Sequence, residues 1–254
     1  MGLRVPKGIP HRRILCVAAL LALATGSSVS FATGADSLPQ ATTYTTLPRA
    51  PRDTAPFSAG TGVVVHPTAP RVVRATPGGA AVAVLPSLQL GNPTWVPVVD
   101  TAPGWIKVLL PSRPNRATGW ISGRGDDLQV ARTPYLIKVE TGARRLTVLK
   151  SGRVTGQWTV AVGAPGTPTP LGRTFLLASL SASDQRSGSP VLPTGAHSAT
   201  LDTYGGGPGT VAFHGWPRKT VFGKAVSHGC VRVPDDALRA LSRVPLGTLV
   251  IITR

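Results

Sequence analysis

Residues 134–180 read PYLIKVETGARRLTVLKSGRVTGQWTVAVGAPGTPTPLGRTFLLASL. Along YLIKVE, RRLTVLK, SGRVTGQWTVAVG and GRTFLLASL, apolar and polar residues alternate with the period of a strand that buries one face. Lys150-Ser151-Gly152 offers the turn that closes a hairpin between the second and third runs. Further along, only PDDALRALSR at 234–243 looks helical. Pro234, Asp235 and Asp236 suit a helix start, and Ala237, Leu238 and Leu241 supply one apolar face. TLVIIT at 248–253 reads as a last strand. Residues 133–254 are therefore predicted to form a mainly β domain with one short helix.

Toward the N-terminus, residues 62–132 carry short apolar runs broken by Pro, Gly and Asn: VVV at 63–65, AVAVL at 81–85, TWVPVV at 94–99, GWIKVLL at 104–110 and GWIS at 119–122. This spacing predicts a small all-β barrel or sandwich. Gly104-Trp105 and Gly119-Trp120 place aromatics at strand starts, read as core tryptophans, with an aromatic ligand groove as the alternative. Residues 33–61, rich in Thr, Pro, Ala and Ser and without periodicity, read as a linker or disordered arm. Residues 1–32 read as a secretory signal: Arg4, Lys7, Arg12 and Arg13 precede the apolar run ILCVAALLALA at 14–24, and Ser30 and Ala32 suit a signal peptidase. That run is too short to span a bilayer comfortably, and an uncleaved membrane anchor is the competing reading. An exported, extracytoplasmic protein is expected.

Composition agrees with strands joined by turns. Aromatics are only 5% of 254 residues, while Gly (29) and Pro (25) are plentiful. With 42% hydrophobic and 15% charged residues the chain can build a core. Its net charge is +17, but the arginines are scattered and form no basic helix or aromatic-interleaved stripe. Nucleic acid is therefore not the expected partner. Anionic cell-wall polymers or an anionic membrane face fit the charge better. Of two cysteines, Cys16 lies inside the signal, so the mature chain keeps the single thiol Cys230.

Around that thiol three features converge: Ser227-His228-Gly229-Cys230-Val231-Arg232, Phe213-His214-Gly215, and VGAPGTPTPLG at 162–172. A cysteine nucleophile needs a base or cation to reach the thiolate, and His214 and His228 are both available. Gly229 permits close backbone approach, so the N–H groups of Gly229 and Cys230 are candidates to receive an oxyanion. Two histidines and a cysteine also raise a metal site, but His228 and Cys230 are nearly adjacent and no fourth ligand is close. Neither a metal nor a cofactor is expected.

These blocks resemble the L,D-transpeptidase catalytic domains of bacterial cell-wall synthesis. AVSHGCVRV is similar to that family's Ser/Thr-His-Gly-Cys block, FHG to its upstream histidine, VGAPGTPTPLGRTF to its PTP-containing entry, and GTLVIIT to its closing strand. WVPVVDTAPGWIKVLLPSRPNRATGWIS, before them, resembles bacterial SH3-like modules. The resemblance implies a β-sandwich with a short helix preceded by an SH3-like barrel. It implies Cys230 as nucleophile, His214 as base, the Gly215 carbonyl as its orienter, and His228, Ser227 and Gly229 as supports of the thiolate and oxyanion. Arg232 is either a binder of a substrate carboxylate or a structural pair for Asp235 or Asp236. The implied reaction is 3→3 cross-linking of peptidoglycan through a thioester, with a donor tetrapeptide stem and an acceptor amine. Trimming of tetrapeptides by water is the nearest alternative, and non-catalytic wall binding a more distant one. One departure concerns the acceptor: Trp216-Pro217-Arg218-Lys219 stands where relatives often carry Thr or Ser.

Overall fold

The alternating runs form the strands they predict. Tyr135–Glu140, Arg145–Lys150 and Arg153–Thr159 make an antiparallel meander within a five-stranded sheet. At its second turn, Ser151 (φ +48°) and Gly152 (φ +77°) are both left-handed, as a two-residue type I′ hairpin requires. Leu249–Thr253 lies between Tyr135–Glu140, to which it runs parallel, and Gly172–Phe175, to which it runs antiparallel. The structure is a computed structural model and describes residues 38–181 and 189–254. The expected signal at 1–32 and the first part of the expected linker, 33–37, lie outside the described residues.

A second, three-stranded sheet joins Val191–His197, Thr210–His214 and Val231–Arg232. Ile137, Val139, Leu146 and Val148 of the larger sheet share one core with Leu192, Phe213 and Val231 of the smaller. The helix Asp235–Leu241 adds Ala237, Leu238 and Leu241 to that core, the apolar face read from its sequence. It starts directly after Pro234, whose fixed φ needs no donor, with Asp235 and Asp236 in the positive first turn.

Residues 63–132 form a seven-stranded antiparallel sheet ordered Ala81–Leu85, Arg71–Arg74, Thr118–Ser122, Trp105–Leu109, Val96–Ala102, Val63–Pro67, Leu128–Arg132. Trp120 is buried and Trp105 half-buried. The core of this layer does not stop at residue 132: Val65, Val73, Val108 and Ile121 pack in one cluster with Phe175, Leu177 and Leu249. The described residues accordingly form one compact unit.

The linker reading of 33–61 needs correction wherever the structure describes it. Ala41, Thr43, Leu47, Ala50 and Asp53 are buried. Single β-bridges tie the segment down at Gln40 to Val84, Thr46 to Arg113 and Arg52 to Ala117. Asp53 makes a buried ion pair with Arg173, Oδ2 to Nε at 2.6 Å, both side chains 3% exposed or less. Burial here falls on isolated residues between turns, so no strand or helix period marks it in the sequence.

Candidate active site

Thr210–His214 and Val231–Arg232 run parallel, with Phe213 opposite Val231 and His214 opposite Arg232. The two-residue alternation of strands then sends Ala212, His214, Cys230 and Arg232 to the same side. His214, Cys230 and Arg232 line a cavity of about 250 Å3, together with Ser198, Tyr204, Trp216 and His228.

The loop that presents Cys230 is held by hydroxyl groups. Ser227 Oγ donates to the Cys230 carbonyl at 2.5 Å and accepts the Gly229 N–H at 3.2 Å. Gly229 has φ +117°, a conformation that suits glycine alone. Thr169 Oγ1 donates to the Gly229 carbonyl at 2.9 Å and accepts the Gly163 N–H at 2.9 Å. Thr167 Oγ1 and the Ala164 N–H both reach the Ser227 carbonyl, each at 2.9 Å. This clamp folds tightly because Gly163 has no Cβ: one would stand 2.3 Å from the Thr167 carbonyl. The Pro-Thr-Pro stretch is thus the mould of the cysteine loop.

His214 Nδ1 lies 2.8 Å from the Gly215 carbonyl. A carbonyl only accepts, so Nδ1 carries the proton and the neutral ring keeps its lone pair on Nε2. Burial pushes the His214 pKa down, opposed by the Gly215 carbonyl and reinforced by the charge of Arg232. The Cys230 thiol is pushed up by burial, against the opposing pull of the Ala212 N–H and of Arg232. Its Sγ sits 3.9 Å from the Thr210 carbonyl. Both shifts favour the uncharged forms, so the resting pair is thiol and imidazole rather than thiolate and imidazolium.

The remaining residues singled out in the sequence separate into three placements. Ser227 and Gly229 act on the loop backbone, and the Gly229 N–H is engaged by Ser227. His228 is exposed at the rim, its ring stacked on Tyr204 with centroids 5.0 Å apart. Arg232 lays its guanidinium on the Trp216 ring, 3.5 Å from the centroid, and is 8% exposed. Among the described residues no ion pair joins it to Asp235 or Asp236, and Asp236 instead accepts the Trp158 Nε1–H at 2.8 Å. The Arg232 Nε is buried without a hydrogen-bond partner. Tyr204 carried no sequence signal, and Trp216 stood out only as a departure from a motif.

The sequence profile described as YkuD, the L,D-transpeptidase catalytic domain, matches residues 134–252. The chain is 35% identical over 122 residues to a Bacillus subtilis (strain 168) protein named L,D-transpeptidase YkuD, covering 48% of this chain and 67% of that protein. It is 32% identical over 126 residues to a second protein of that strain, named L,D-transpeptidase YqjB, covering 47% of this chain and 71% of the relative. Among solved structures, an L,D-transpeptidase from Mycobacterium tuberculosis H37Rv aligns with 17% identity and a TM-score of 0.40, over 55% of this chain and 73% of that one.

Proposed function

The chain belongs to the L,D-transpeptidase family, and from that premise we propose that Cys230 forms a thioester with a peptidoglycan stem and passes the acyl group to an amine. The observation that carries this reading is the shared cavity of His214 and Cys230, with the His214 lone pair freed by the Gly215 carbonyl. His214 Nε2 takes the proton of the Cys230 thiol as the sulfur attacks the carbonyl between an L-centre and the terminal D-alanine. Because the resting thiol is protonated, this transfer belongs to the attack itself and follows substrate entry. The Cys230 N–H is the donor for the oxyanion, since Ser227 already engages that of Gly229. The imidazolium returns its proton to the departing D-alanine amine, leaving the thioester. A side-chain amine of a second stem then attacks, loses a proton to His214 and restores the thiol, giving a 3→3 cross-link. Arg232, held flat on Trp216 and free of ion pairs among the described residues, receives a stem carboxylate. Export to the cell wall is part of the same proposal.

Mass spectrometry of the mature protein with a tetrapeptide donor tests it. The expected result is a protein adduct one D-alanine lighter than the donor, absent in Cys230→Ala. Addition of an acceptor stem then yields a cross-linked dimer. A product consisting only of trimmed tripeptide reassigns the second step to water.

A further inference from the structure

One wall of the cavity is formed by the loop 198–209, which contributes Ser198, Tyr204 and Gly209. Its neck is closed by the Ser198 N–H donating to the Gly209 carbonyl at 2.8 Å. The body of the loop is gripped from outside by Arg113. Arg113 Nη1 donates to the Ser198 carbonyl at 2.9 Å, and Nη2 to the carbonyls of Leu201 at 3.1 Å and Pro208 at 3.0 Å, with Asp202 at 3.4 Å. Beside it, Asn115 pairs both ways with the backbone of His197, at 2.7 and 2.8 Å.

Arg113 lies in the seven-stranded layer, between Trp105–Leu109 and Thr118–Ser122 and outside the residues matched by the family profile. We propose that Arg113 is a positioning residue for the reaction: it sets the donor-facing wall of the cavity by gathering four backbone carbonyls of the 198–209 loop onto one guanidinium. This rests on the assignment of the cavity as the donor site. Guanidinium donors lie in a fixed planar fork, so they order the carbonyls as well as satisfy them. Without that cation four convergent carbonyl dipoles repel one another and the loop opens. Tyr204, stacked on His228, moves with it, while His214 on its strand and Cys230 on its loop take no hydrogen bond from the Arg113 guanidinium.

The test compares Arg113→Ala, Arg113→Lys and the unaltered mature chain. In Arg113→Ala the donor concentration for half-maximal acylation rises roughly tenfold, the scale expected when a positioning contact is lost. The limiting acylation rate and the pH profile of Cys230 alkylation by iodoacetamide stay within about twofold. Arg113→Lys, with its charge and three donors, falls between the two. Hydrogen exchange separates local release from unfolding: amides of 199–208 exchange faster in Arg113→Ala, and those of 210–214 do not. Unchanged half-saturation together with unchanged exchange overturns the proposal, as does an alkylation profile that shifts along with the half-saturation. If the unaltered chain forms no thioester, the reading of the cavity fails, while the exchange data still judge the grip of Arg113 on the loop.

Discussion

The two walls of the cavity that Cys230 and His214 share are built by different means. The wall that carries the Cys230 loop is braced by contacts inside one half of the chain, with Thr167 and Thr169 as struts. The facing wall, 198–209, is gripped by Arg113, and the residues that flank it, His197 and Thr210, are held by Asn115 and Thr43. Thr43 reaches both His197 Nε2 at 3.0 Å and Thr210 Oγ1 at 2.5 Å. The Cys230 loop is thus held by a short motif-dense scaffold, and the opposite face of the cavity by residues far away in sequence. Changes to the first should act on rate, and changes to the second on substrate capture and on stability.

The sharpest way to split the walls is to remove the base. His214→Ala lowers the acylation rate about 10²–10⁴-fold, measured by mass spectrometry, with the half-saturating donor concentration unchanged. A change confined to half-saturation would merge the two walls. Next in size is the buried ion pair between Asp53 and Arg173. Arg173→Met leaves Asp53 uncompensated and costs about 3–5 kcal/mol in urea unfolding, and Asp53→Leu with Arg173→Met costs less than either single change.

His197 gives a pH signature of the same region. Burial holds its pKa down from 6.5 to about 4, against the opposing Thr43 carbonyl. The unfolded chain takes up a proton below pH 6.5 that the folded chain refuses until about pH 4. The stability this provides is whole above pH 6.5 and is lost as the pH falls through that window, an effect of order 3 kcal/mol. In His197→Gln this part of the pH dependence of urea unfolding disappears. What remains includes the same-signed contribution of His214, whose pKa is also depressed. The smallest expected change lies in the chemical wall. Thr169→Val removes the hydroxyl between Gly163 and Gly229 at a cost of about 1–3 kcal/mol. Acylation slows while exchange of 199–208 stays as it was, and faster exchange there would show the walls to be mechanically joined.

How much of this was readable follows from the same division. SHGC, FHG and the Pro-Thr-Pro stretch are short, and their chemistry depends on residue type at close spacing, so Cys230, His214 and Gly215 were visible. So were the hairpin at Ser151-Gly152 and the helix after Pro234, which follow from local dihedral preference. The segment 38–61 was misread because Ala41, Thr43, Leu47, Ala50 and Asp53 are buried one at a time, and composition registers only its prolines and threonines. Asp53 and Arg173 become partners only through the fold, 120 residues apart. Tyr204 was invisible because a lone tyrosine in a glycine-rich loop has no pattern to break. Arg232 left two readings open in the sequence, because only the fold brings the Trp216 ring beneath its guanidinium.

The position of Leu249–Thr253 also fixes an order of events. It is the interior strand that joins Tyr135–Glu140 to Gly172–Phe175, with Ile137 opposite Val250 and Thr174 opposite Val250 from the other edge. No shorter piece of the chain can close that sheet. Such long-range pairing slows assembly. A chain that stops short of Leu249–Thr253 therefore carries Cys230 without the closed five-stranded sheet.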